Sequence, residues 1–488
     1  MSEADRALRS RLLKLESRFM WDLRKEHMDL EDLSTRLQEQ IDEGPGRRDT
    51  VDHSYSFLAY VRYLQDRPEE AVLLLNQSEE RTRERFGEES ERWLIVTYGD
   101  LAWLSYHTGD YTLCEAYCGR VEDILLRNPT SSPSVLHPEV YGEKAWTFLK
   151  FSIRYYPRAI QCFRKAMELQ PDNSEWNSGY AIALYRLRQR DEETSEEAED
   201  SPVIRQLRRA LELSPDDGML LMLLALRLHF YQQHEEAEAL VERALEVDPD
   251  HPHITRYVAK YLRVQGEVER SIDLLQRVLE NNGKSAFIHH QLALCYRKKK
   301  IALYDRMPFF NQEMKYWRRL MIQHLEEAVR LRPCFVYAMT DLALMYAENK
   351  DLNRAEELFQ RALMMSSERD KYIRQFVHLR YAQFNHYHTK QEAKAITHYT
   401  KGLLTAVNTV DGRKCAEKLK QIAERHLSGD GNDGEALGVL GLVYRAEGEL
   451  TEAAGYYERA LTCDLNNQQH REALSQLRME LTQQAHIP

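Results

Sequence analysis

Three stretches of the chain carry residue types that could do chemistry, and in each the pattern stops short. Gly283-Lys284-Ser285 ends like a phosphate-cradling glycine loop, but Val278 stands where the first glycine belongs and the stretch follows a helical pattern rather than a strand. Asp430, Asn432 and Gly434 open like a calcium loop, yet the closing glutamate position is Gly441. None of the 18 histidines forms a His-Glu-x-x-His pair. Cys114 and Cys118 lie four apart on one helix face, with no nearby Cys or His to complete a zinc site. The expectation is a protein that catalyses nothing and holds no metal or cofactor. What remains is a set of basic residues. Arg256, Lys260 and Arg263 step by four and three, as do His290, Leu294 and Arg297, with Phe287 three before His290 and Gln291 beside it. Such steps place side chains on one helix face. Clustered cations in a wall of reduced dielectric repel one another unless an anion balances them, so the chemistry expected is capture of a phosphate chain or an acidic peptide.

The elements that position these residues are repeats. AIQCFRKAMELQP (159–171) has Ala159, an aromatic four later, Ala three later and Pro five later, which is the second-helix pattern of the tetratricopeptide repeat. EAEALVERALEVDP (236–249), RAEELFQRAL (354–363) and EAAGYYERAL (452–461) repeat it. Ala210 to Ala244, Ala244 to Val278, Ala328 to Ala362 and Pro215 to Pro249 are each 34 apart, the period of this repeat. First helices precede these, with Ala59, Ala102, Ala225, Ala259, Ala343 and Gly441 at the position where two helices cross and only a small side chain fits. The fold class expected is all-α: a superhelical solenoid of about nine or ten tetratricopeptide repeats, the degenerate one around 381–402, with an N-terminal helical extension. The phase sets positions 2, 5, 9 and 12 of each first helix toward the inside of the spiral. For the repeat centred on Ala343 these are Tyr337, Thr340, Leu344 and Ala347, an uncharged set.

Breaks in the period mark boundaries. An acidic run, DEETSEEAED (191–200), accounts for an excess of ten residues and reads as a solvated loop. A second excess, of sixteen, follows Arg297-Lys298-Lys299-Lys300, and RNPTSSPSVLHPE (127–139) reads as a joint. The organisation expected is an extension over 1–50 made of two amphipathic helices, a first repeat block over 51–135, a central binding block over 136–330 and a C-terminal block over 331–488.

The chain of 488 residues carries a formal net charge of −11, which excludes non-specific binding of nucleic acid through a general excess of Lys and Arg. Any anionic ligand must be held by a local cationic site. Seven scattered cysteines suit free thiols in a reducing compartment. The first nineteen residues are charged throughout and lack the apolar core of a signal peptide, and no apolar run is long enough for a membrane span. A cytoplasmic protein is expected.

FMWDL (19–23), FLAYVRYL (57–64), EKAWTFLKF (143–151), GYAIALYRL (179–187), RYVAKYLR (256–263), FIHHQLALCYR (287–297) and TDLALMYAE (340–348) occur in this order with both insertions between them. As a set they resemble the interferon-induced proteins with tetratricopeptide repeats, a vertebrate antiviral family, along nearly the whole chain. The resemblance implies binding of single-stranded foreign RNA by its 5′ end, as triphosphate or as cap lacking ribose methylation, in a basic central channel, which blocks translation. Matching positions imply phosphate or first-nucleotide contacts at Arg36, Gln40, Lys150, Tyr156 and Arg186. Arg256, Tyr257, Lys260, Arg263, Phe287, His290 and Gln291 match the further nucleotide contacts. Trp146 matches the ring that stacks a cap guanine, with Glu175 and Ile182 beside it, and Tyr457 and Leu461 match a dimerisation motif. The implied partners are thus such RNA and, as oligomer, the protein itself or other family members. Met219 and Asp217 depart from the Tyr and Asn expected there, and DEGPGRRD (42–49) lacks the apolar cap lid. The competing expectation is a protein-interaction scaffold or chaperone adaptor gripping an acidic peptide. That clamp needs Lys and Asn on successive inner faces, and no asparagine is supplied.

Overall fold

The computed structural model describes residues 3–42, 52–132, 134–188, 201–247, 249, 251–281, 285–306, 311–366 and 371–485. Among them every regular element is a helix. The acidic run 191–200 and most of the loop 42–49 lie outside the described residues. The chain divides into two compact units, Met1–Gln265 and Gly266–Pro488, a division that falls inside the expected 136–330 block.

Each unit is a run of helix pairs in which a first helix packs on its second, and the second packs on the next pair. The crossing residues do what the spacing predicts. Ala59, Ala102, Ala225, Ala259 and Ala343 are at most 1% exposed. At Gly441 even a methyl group would meet the Tyr457 ring at 2.9 Å. The second-helix positions Phe163, Val241, Phe359 and Tyr399 are buried against them, the last within the degenerate repeat.

Nine helices carry the argument. In the first unit they are α1 (Leu30–Asp42), α2 (Asp52–Leu64), α3 (Pro138–Phe151), α4 (Ser174–Arg188) and α5 (Pro252–Gln265). In the second they are α6 (Ala286–Arg306), α7 (Asn311–Leu331), α8 (Val336–Glu348) and α9 (Lys371–Phe384). The N-terminal extension holds two helices, Glu3–Leu12 and α1, joined through two short 3-10 turns. The joint over 127–139 separates a helix ending at Arg127 from α3, whose Pro138 occupies the first turn, where a missing N–H costs nothing. The sixteen-residue excess is absorbed by lengthening a helix pair: α6 and α7 run to 21 residues each. Asp217 caps the helix Gly218–Phe230, accepting from the backbone N–H groups of Met219 and Leu220 at 2.9 and 3.2 Å, so its carboxylate is occupied locally. Met219 is buried. No helix among the described residues is long and apolar enough to cross a membrane.

Candidate functional site

In the first unit the predicted residues stand over a buried polar network that the sequence did not reveal. The Arg18 guanidinium, wholly buried, donates to Asp100 at 2.6 Å, to Ser56 at 3.0 Å and to Glu143. His53 joins Glu143 through Nδ1 and Glu175 through Nε2, the latter at 2.7 Å. Burial alone would lower the His53 pKa, but the Glu143 and Glu175 charges outweigh it and push it up to about 10. Glu143 is in turn held far below the usual carboxylate range: burial opposes this, and the His53 and Arg18 charges prevail. A signal was present, since Glu143, Trp146 and Lys150 step by three and four along α3 and share its face.

Lys150 sits above this network. Its ammonium donates to Ser54 Oγ at 3.1 Å, and Ser54 donates to Gln40 Oε1 at 3.2 Å, so α1, α2 and α3 bring Gln40 and Lys150 to one place. Burial, with the charges of Arg18 and Arg186, lowers the Lys150 pKa to about 8 against the opposing pull of Glu143 and Glu175. Arg36 pairs with Asp32 one turn earlier at 3.1 Å. Tyr156 is half-buried at the start of the helix Tyr156–Leu169. Trp146 is only 6% exposed, edge-on to Phe163 at 5.3 Å, with the Lys150 ammonium 5.9 Å from its ring. Glu175 is taken up by His53, and Ile182 is half-buried.

Arg186 on α4 links this group to α5, because its charge acts on both Lys150 and Tyr257. Arg256 lies over the Tyr257 ring at 4.8 Å and donates to its hydroxyl at 3.3 Å. Burial would raise the Tyr257 pKa, but the charges of Arg256, Arg186 and Lys260 lower it instead. Lys260 is depressed by burial and by Arg263 and Arg256. Arg186, Arg256, Lys260 and Arg263 are all half-buried.

In the second unit a charge lies just outside the uncharged inward set of the repeat around Ala343. Asp341, one position beyond Thr340 on α8, is buried and accepts from His290 Nε2 at 3.1 Å and from Arg297 at 3.3 Å, with Arg380 of α9 at 3.8 Å. Burial would raise its pKa, but the His290 hydrogen bond and the Arg297 and Arg380 charges hold it below the usual range. His290 and Arg297 thus already have an internal anion. Thr340, expected to line the face, is fully buried and donates to its own helix. Phe287 meets Phe335 edge-on at 5.0 Å and lies under Arg332 at 4.7 Å, while Gln291 is half-buried beside them. At the C-terminal end Tyr457 packs beneath Gly441, whereas Leu461 borders a cavity of about 860 Å³ with the exposed Leu465 and Met479.

Three family models, each described as tetratricopeptide repeat, match residues 232–286, 336–366 and 436–472. The chain is similar to the antiviral innate immune response effector IFIT1 of Homo sapiens, 33% identical over 94% of this chain and 96% of the relative. It is similar to the human interferon-induced protein with tetratricopeptide repeats 2, 32% identical over 94% and 97%. Among solved structures, the human IFIT1 dimer with m7Gppp-AAAA superposes with a TM-score of 0.78 at 32% identity, covering 93% of this chain and 99% of that one. The human IFIT1 dimer with PPP-AAAA gives 0.75 at 33% identity, over 93% and 99%.

Proposed function

This chain belongs to the interferon-induced proteins with tetratricopeptide repeats, and from that premise we propose that it captures the 5′ end of single-stranded foreign RNA, as triphosphate or as cap lacking ribose methylation, and so blocks translation of that RNA in the cytoplasm. The observation that carries the reading is the run of half-buried cations from Lys150 through Arg186 to Arg256, Lys260 and Arg263 in a chain of net charge −11. The Lys150 pKa is depressed mainly by burial and further by the charges of Arg18 and Arg186, so an anion placed beside it would favour its charged form. In this reading Arg36, Gln40, Lys150, Tyr156 and Arg186 meet the terminal phosphates and first nucleotide. Arg256, Tyr257, Lys260, Arg263, Phe287, His290 and Gln291 meet the nucleotides that follow. Trp146, Glu175 and Ile182 form the ground for a cap guanine. The protein acts by binding, without turnover. Association, with itself or with other members of the family, uses the C-terminal surface at Leu461 beside Tyr457.

One RNA sequence bearing in turn a 5′-triphosphate, a monophosphate, a hydroxyl or a cap without ribose methylation tests this. Titration calorimetry is expected to rank the hydroxyl end weakest, and equal affinity for all four overturns the end-capture reading.

A further inference from the structure

The second unit holds a cavity of about 310 Å³ among α6, α7, α8 and α9, and its chemistry is unlike a packing defect. Its wall includes Arg297, Asp341, Glu348, Arg380, Tyr387 and His388. Glu348 is taken up by Lys300 and Arg318, which lie off the wall, and Asp341 is shared by His290, Arg297 and Arg380, so the two arginines of the wall divide one carboxylate. The carboxylates hold the arginines in place without cancelling them. Arg380 is the least compensated. Its ion pair with Asp341 is long at 3.8 Å, one guanidinium N–H reaches Gln383 Oε1 at 3.3 Å, and its Nε is buried with no hydrogen-bond acceptor among the described residues. Burial lowers its pKa more than Asp341 restores it. The guanidinium also lies over the Phe376 ring at 5.1 Å, so it keeps one donor to spare and has a carboxylate only at long range.

A second feature converges on the same space. Directly after α9 the chain makes a π-helical turn, Asn385–Thr389, a rare form that costs hydrogen-bond geometry and re-aims side chains. Buried Asn385 fixes it, donating to the Tyr381 carbonyl at 2.9 Å and accepting from Thr389 at 3.3 Å. The turn puts Tyr387 and His388 on the cavity wall and leaves Tyr387 45% exposed, with His386 edge-on to its ring at 4.6 Å and the Lys418 ammonium 5.8 Å from it. Cations beside a partly exposed aromatic ring suit a nucleotide, with phosphate on the guanidinium groups and base on the ring.

We propose that this cavity is a nucleotide subsite in which Arg297 and Arg380 take a phosphate and Tyr387 stacks the base. The nucleotide has two sources. One is the RNA strand itself: Arg297 lies seven residues, about 10 Å, beyond His290 along α6, so a strand passing His290 is led to the cavity. This source rests on the end-capture reading. The other is a free mononucleotide, which does not.

The test uses the full chain, its Arg380→Gln variant and its Tyr387→Ala variant, with circular dichroism as the check of folding. Probes are a 5′-triphosphate tetranucleotide, a 5′-triphosphate dodecanucleotide, a 5′-hydroxyl dodecanucleotide and adenosine monophosphate. If the strand is the source, both substitutions weaken the two dodecanucleotides about tenfold and leave the tetranucleotide unchanged. If a free nucleotide is the source, the parent chain binds adenosine monophosphate and both variants lose it. Dodecanucleotide affinities that do not change, together with no mononucleotide binding, overturn the proposal. Should Arg380→Gln not fold, Tyr387→Ala decides by the same readings. A tetranucleotide that fails to bind the parent chain sinks end capture alone, because the hydroxyl-ended and mononucleotide arms still read the cavity.

Discussion

Lys150 shows how a side chain is made ready for an anion. Its ammonium lies 5.9 Å from the Trp146 ring and is fastened to Ser54, with the charges of Arg18, His53, Glu143 and Glu175 around it. With His53 raised to about 10, that histidine stays protonated at neutral pH and offsets one carboxylate, which leaves Lys150 less compensated than its two acidic neighbours imply. A pKa near 8 places the loss of its charge within the accessible range. Deprotonation removes a cation from the phosphate site, so affinity for 5′-triphosphate RNA falls as pH rises through about 8, and binding below that point takes up a fraction of a proton because the ligand restores the charged form. Lys150→Arg, always charged, is expected to flatten the dependence between neutral and alkaline pH in a series of binding titrations. A parent chain with no pH dependence in that window would show that Lys150 does not face the ligand.

At the scale of elements, the spacing of small residues sets the distance between helices, and hence where every lining side chain falls. Gly179 is the tightest case on α4: a methyl group there would run into the Phe163 ring and press on Trp146 at 3.0 Å. Neither ring can withdraw, since Phe163 is fully buried and Trp146 nearly so. Gly179→Ala is therefore expected to cost about 1–3 kcal/mol in denaturant unfolding, and to weaken RNA binding by shifting Arg186 seven residues on along the same helix. An unchanged midpoint would mean that the helix pair is looser than these contacts imply. Local spacing of this kind is what the sequence discloses well. The 34-residue period, the crossing alanines and the shared face of Arg256, Lys260 and Arg263 follow from neighbours three, four or a repeat apart. The network under Lys150 does not, because Arg18 meets Glu143 across 125 residues and Asp100 across 82, separations at which no periodicity links the partners. Asp341 escaped for a different reason: the inward phase counts positions 2, 5, 9 and 12, and a carboxylate one step off that phase still reaches arginines of the flanking helices. The π-helical turn after α9 has no composition signal in NHYHT, and its place on the cavity wall follows from the packing of helices distant in sequence.

For the whole molecule the decisive quantity is charge and where it lies. A net −11 gives a far field that repels RNA, and screening confines attraction to within about 8 Å at physiological ionic strength. Attraction then acts only once phosphates have reached the half-buried cations, which favours an end with several charges on one group over the evenly spaced charges of an internal strand. Many exposed arginines are paired with neighbouring carboxylates, as Arg208 is with Glu236 at 3.1 Å. The number of phosphates engaged can be read from salt dependence, since each contact to a single strand adds about 0.7 to the slope of log affinity against log salt. Removing one contact should take away that increment. Arg186→Ala and Arg256→Ala are each expected to weaken 5′-triphosphate RNA and to reduce the slope by about 0.7, whereas Arg208→Ala leaves both unchanged. If affinity drops while the slope stays, the arginine supports the fold and touches no phosphate. If Arg208→Ala lowers the slope as much as the other two, RNA is held by the acidic molecule's outer surface, and the local cationic site is not what selects it.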